Sequence, residues 1–108
     1  ERVRQTLINV LANAQQAVAE GGAIELSSRR APDGIVLAVR DTGPGIPREA
    51  LPRIFEPYFT TRRTGTGVGL AVAKNIIEGL GGRISADSGA HGGTVITIHL
   101  PATGDPAP

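Results

Sequence analysis

"GIVLAVRDTGPGIP", residues 34 to 47, decides how the chain is read. It opens as an apolar strand-like run, ends that run on one acid, Asp41, and then turns through Gly43, Pro44, Gly45 and Pro47. An Asp after a strand can simply form the turn, because its carboxylate bonds backbone N–H groups two residues on. It can equally be the floor of a pocket that accepts hydrogen bonds from a ligand's amino group. Gly43 and Gly45 would then let a flat ring approach the backbone where a side chain would block it. On this stretch alone both readings stand.

Working outward, "AIELSSRR" at 23–30 precedes the run as a second strand across the turn "APDG". Further upstream, "ERVRQTLINVLANAQQAVAEGG" reads as an amphipathic helix. Val3, Leu7, Val10, Leu11, Ala14, Ala17 and Val18 recur at helical spacing, and Gly21-Gly22 stops the run. Downstream, "REALPRIF" holds a short helical turn and irregular chain follows. "GVGLAVAKNIIEGLGG" at 67–82 is a second helix, with Leu70, Ala73, Ile76, Ile77 and Leu80 on its buried side. "RISADSG" and "GTVITIHLP" close the order as two strands, Ile96, Ile98 and Leu100 alternating toward the core.

Helix, two strands, irregular segment, helix, two strands predicts an α+β fold, a two-layer sandwich with both helices on one face of a mainly antiparallel sheet. So open a sheet, with its first helix at the start of the sequence, reads as short of its first strands. The domain is expected to span 1–101, truncated at its N-terminal side, with 102–108 as a disordered tail too poor in apolar residues to pack.

At 108 residues the chain is at most one domain, and 40% hydrophobic residues can fill a core. That core is aliphatic; the aromatics Phe55, Tyr58 and Phe59 cluster locally. A formal net charge of +1 lacks the concentrated basic face of a nucleic-acid binder. Zero cysteines exclude disulfides, thiolate metal sites and cysteine nucleophiles. No apolar run is long enough for a bilayer and no signal-peptide pattern occurs. The expectation is a cytoplasmic domain without direct membrane contact.

Asn9, Asn13 and Gln16 share one face of the first helix, opposite much of the apolar stripe. Asn is a poor helix former, and a merely solvated face more usually carries Glu, Lys or Arg. Two Asn one turn apart suit oxygen donation to a hard cation such as Mg²⁺; an incidental polar face is the alternative. "GTGVGLAVAK" at 65–74 puts Gly65, Gly67 and Gly69 at the positive end of the second helix, where exposed N–H groups hold phosphates. It matches neither a P-loop nor a dinucleotide fingerprint. Arg62 and Arg63, among threonines and glycines, read as a segment able to close on an anion, with Phe55 and Phe59 anchoring its base. Thr94 is polar on an otherwise core-facing strand and is placed to reach Asp41's pocket. His91 and His99 read as solvent-facing, and no Ser-His-Asp order, acid pair or metal-type His cluster stands out.

Taken together, these residues resemble the ATP-binding catalytic domain of bacterial sensor histidine kinases, in the superfamily of gyrase, Hsp90 and MutL. "NVLANAQQA" looks like the N box, "DTGPGIP" the G1 box, "FEPYFTT" the F box and "GTGVGLAVAKNIIEGLGG" the G2 box, with "GGTVITIHLP" as the final strand. The F box, Gln16 and the short lid resemble the nitrogen-regulatory branch. The resemblance covers residues 1 to 101 and implies the Bergerat fold, with ATP and Mg²⁺ as ligands. It implies that Asn13, helped by Asn9, is catalytic and holds Mg²⁺ on the phosphates. Asp41 would take the adenine amino group, with Thr94 assisting through water, and Gly43 and Gly45 would shape the adenine pocket. Gly67 and Gly69 would face the phosphates, and Ile46, Phe59, Gly65, Thr66, Val68 and Leu70 would complete the nucleotide-binding set. Arg62 and Arg63 match basic lid positions; Gln16 stands where many relatives carry Lys.

In such kinases the γ-phosphoryl group passes to a histidine on a separate dimerisation domain, and a response regulator follows as partner. No segment here looks like that histidine-bearing helix. Other readings are an ATPase or an anti-sigma-type serine kinase of the same superfamily, or a nucleotide-free docking module. The ATPase would need a Glu four residues before Asn13 as base for water, and Asn9 stands there instead. "FEPYFTT" favours the sensor kinase over the serine kinase, and the intact Asn13, Asp41 and glycine loops speak against the docking module.

Overall fold

A computed structural model of the chain describes residues 2–18, 22–46, 48–56, 69–88 and 92–101, the side chains of residues 16 and 17 excepted. Helix α1 runs Arg2–Ala17, strands β1 and β2 run Ile24–Ala31 and Gly34–Asp41, and a single 3₁₀ turn covers Leu51–Arg53. Helix α2 runs Gly69–Gly79, and strands β3 and β4 run Arg83–Ser88 and Thr94–Pro101. Each element expected from the hydrophobic spacing is present. The sheet order is β1-β2-β4-β3, and every pairing among the described strands is antiparallel.

The register explains where the core sits. Across β2 and β4, Val39 faces Ile96 and Leu37 faces Ile98, and β3 adds Ala86 and Ile84 in the same rows. Residues directly opposite on neighbouring strands share a face, so this side of the sheet is apolar. The helices cover it: Val10 and Ala14 of α1 join Leu70, Ala73 and Ile77 of α2 in one cluster with Val39, Ile96 and Ile98. Ile77, Ile98 and Ala73 are fully enclosed. This is the expected two-layer α+β sandwich, with both helices on one face of the sheet. α1 packs against β2 and α2 against β3. The β1 end is left bare: Ile24 and Leu26, in Val39's face, stay exposed.

α2 ends in a tight hydrogen-bonded exit that turns the chain into β3. Gly82 N–H donates to Ile77 O at 2.9 Å and Gly81 N–H to Glu78 O at 3.0 Å, satisfying carbonyls that the last turn leaves over.

His99 departs from its expected place in solvent. It lies on the sheet face away from the helices, yet its side chain is only 16% exposed, and its Nε2 stands 3.2 Å from Asp33 Oδ1. Asp33 belongs to the β1–β2 turn, which the sheet register brings beside β4; alternation alone does not reveal such cover. His91 lies outside the described residues, as does the expected tail at 102–108.

Candidate functional site

Asp41 ends β2, and the register places it directly opposite Thr94, the first residue of β4. Both side chains are buried, each at 6% exposure. They occupy the helix-facing side of the sheet, where the next rows across β2, β4 and β3 are aliphatic. A carboxylate is costly to bury unless hydrogen-bonded. Asp41 Oδ1 accepts from Gly43 N–H at 2.9 Å, and among the described residues this is its one hydrogen bond. The turn-forming role is therefore real, and it uses one oxygen of the two.

Beyond Asp41 the chain is suspended between two side-chain hydroxyls. Ala23 N–H donates to Thr42 Oγ1 at 2.9 Å, while Thr42 N–H donates to Ala23 O at 3.1 Å. At the other end Ser88 Oγ donates to Ile46 O at 2.8 Å and accepts from Ile46 N–H at 3.4 Å. Gly93 lies beneath. Its φ is +80°, and a Cβ there would stand 2.1 Å from Asp41 O, so neither conformation nor space admits a side chain. Gly45, at φ +85°, is constrained in the same way, its Cβ position lying 3.0 Å from Gly93 O. Packing within the protein thus already requires glycine at 45. Ile46 packs partly buried against the core.

On α1, Asn9 and Asn13 sit one turn apart and are both half-buried. Asn9 Oδ1 accepts from Gln5 Nε2 at 3.1 Å. Each follows a fully buried residue, Thr6 or Val10, by three positions, and the Gln5–Asn9 hydrogen bond is exposed. At the start of α2, Gly69 is half-buried, and a Cβ added there would meet nothing within 4 Å. Leu70 next to it is buried in the core. Phe59, Arg62, Arg63, Gly65, Thr66, Gly67 and Val68 lie outside the described residues, and Gln16's side chain does too.

Thr42, Ser88 and Gly93 are the residues that sequence reasoning passed over. The Gly92-Gly93 pair beside Thr94 was the legible sign, since paired glycines before a strand mark close backbone approach. Ser88 had no local signal; its partner is 42 residues away.

Comparison with known proteins gives a consistent answer. Residues 1–104 match the family model described as histidine kinase-, DNA gyrase B-, and HSP90-like ATPase. The sensor histidine kinase ZraS of Klebsiella oxytoca is 43% identical over 105 residues, which is 96% of this chain and 23% of that protein. The catalytic domain of histidine kinase ThkA, solved nucleotide-free, superposes with a TM-score of 0.84 at 38% identity, covering 93% of this chain and 66% of that one. Full-length ShkA, solved in complex with AMPPNP, gives 0.80 at 30% identity, covering 94% of this chain and 22% of that one. The chain thus spans less than a quarter of the length of the curated kinase it matches.

Proposed function

Since the chain belongs to the family of histidine kinase-, DNA gyrase B- and HSP90-like ATPases, we propose that it binds Mg-ATP and serves a longer two-component sensor kinase as its catalytic domain. There it delivers the γ-phosphoryl group to a histidine on a separate dimerisation domain, from which a response regulator takes it. The reading puts the domain on the cytoplasmic side, where ATP is found, whether or not the parent is anchored in a membrane. Among the described residues no helix is long and apolar enough to cross one.

The observation that carries the reading is the Asp41 carboxylate: buried, half engaged by Gly43 N–H, and paired with Thr94 at the sheet's end. A buried acceptor of this kind selects a ligand that donates, as the adenine amino group does, because a mismatched partner leaves it unpaired. Asn9 and Asn13 fit a hard cation, offering neutral amide oxygens one turn apart. When bound, Mg²⁺ supplies neutralisation of the phosphate charge. In this reading Asn13, with Asn9, would hold that ion on the phosphates, Asp41 and Thr94 fix the purine, and Gly67 and Gly69 are assigned to the phosphates. The same reading assigns phosphate contact to Arg62 and Arg63, and nucleotide contact to Ile46, Phe59, Gly65, Thr66, Val68 and Leu70. Transfer then rests on positioning and electrostatics, with no covalent step on this domain.

Incubation of the chain with γ-labelled ATP tests the division of labour. Nucleotide should bind and no stable label should appear on the protein. Stable label on His91 or His99 would overturn the assignment of the acceptor to another domain.

A further inference from the structure

We propose that Ser88 is a positioning residue for the purine end of the nucleotide site, acting through the backbone of Ile46. The inference rests on the nucleotide-binding reading above and adds a residue to it. Ser88 is the direct partner of Thr94 across β3 and β4, and Thr94 is the direct partner of Asp41 across β4 and β2. The three residues form one row on the helix-facing side of the sheet. From one end of that row the Ser88 hydroxyl reaches the far end of the glycine-proline loop. It donates to Ile46 O at 2.8 Å and accepts from Ile46 N–H at 3.4 Å.

Those two bonds tie the loop's end to the sheet that carries the acid. A hydroxyl can donate and accept at once, which is what closing both backbone groups of one residue requires. The first end of the loop is held independently, by Thr42 on Ala23. Without Ser88, Ile46 would be held relative to Asp41 through Thr42, Gly43, Pro44 and Gly45, and by side-chain packing. With it, the distance from the Asp41 carboxylate to the Ile46 backbone is set by sheet register, and a flat ring lying between them meets a wall in a fixed place. Ser88 need not touch the ligand.

The test is calorimetric titration of the chain and of its Ser88→Ala and Ser88→Thr variants with adenosine and with Mg-ATP. Ser88→Ala should weaken both ligands by the same factor, about three- to tenfold for the loss of such a hydrogen-bonded tie. Ser88→Thr, which keeps the hydroxyl and has room at this exposed strand end, should restore both. Should alanine prevent folding, Ser88→Cys, of similar size with a weaker hydrogen-bonding group, provides the same comparison. Unchanged adenosine affinity in Ser88→Ala, weakening of Mg-ATP alone, or a loss that threonine does not reverse each overturn the inference. If the unaltered chain binds neither ligand, the nucleotide reading itself fails and this inference goes with it.

Discussion

Asp41 and Thr94 are direct cross-strand partners at the end of β2 and the start of β4, each 6% exposed on the face that packs the helices. A buried acid and a buried hydroxyl in one row stand next to the aliphatic rows that β2 and β4 build, where the sheet gives way to a bare loop.

Asp41→Asn separates the two roles of that acid. The amide oxygen can still accept from Gly43 N–H, so the loop keeps its turn, while the other position becomes a donor facing a donor. ATP affinity should fall by about 1–3 kcal/mol with little change in unfolding free energy. Calorimetry beside a urea titration reads both quantities; unaltered affinity removes Asp41 from the adenine site.

Asn13→Ala acts at the other end of the ligand. Removing the amide oxygen should weaken Mg-dependent ATP binding by about tenfold and leave adenosine affinity unchanged. Equal losses with and without Mg²⁺ would place Asn13 away from the cation.

Gly93→Ala tests whether the backbone beneath the loop is as close as it stands. The new Cβ would lie 2.1 Å from Asp41 O at a φ of +80°. Relief must come from moving β4's start or the loop, at a cost of roughly 1–3 kcal/mol or more in stability. Adenosine affinity should fall along with it, because the displaced segment is the one that carries Thr94. A variant as stable as the parent would show that the approach is looser than this geometry.

Ile98→Ala is the core counterpart. Ile98 is completely enclosed between the sheet and the helix layer, and truncation should cost about 2–5 kcal/mol in denaturant unfolding. Ile8→Ala, at an exposed position on α1, should change stability by less than about 0.5 kcal/mol. Similar losses at both positions would contradict the placement of the core.

The local elements were legible before any coordinates, because helices and strands leave their periods in the chain. Val10 and Ala14 repeat at helical spacing, Ile96 and Ile98 alternate, and Gly81-Gly82 ends α2 where expected. Asp41 and Thr94 were legible for a related reason: each is a polar residue at the end of an apolar strand, and that anomaly is visible locally. Strand order and cover were not. That β4 inserts between β2 and β3, making Asp41 and Thr94 immediate neighbours, follows from pairing across more than fifty residues of chain. The half-burial of Asn9 and Asn13 is likewise not written in the local period, and His99 lies between its strand neighbours Val36 and Arg83 with Asp33 of the β1–β2 turn beside it.

Composition and spacing, read along the chain, determined the secondary structure, the two-layer class and the residue types from which a nucleotide site could be made. Tertiary structure alone decided that Ser88 closes the loop over a gap of 42 residues, that Gly93 must be bare, and that one row of the sheet unites Ser88, Thr94 and Asp41. The reason is physical: periodicity is a property of neighbours in sequence, whereas a hydroxyl's hydrogen-bond partner and a glycine's nearest atom depend on how distant segments pack.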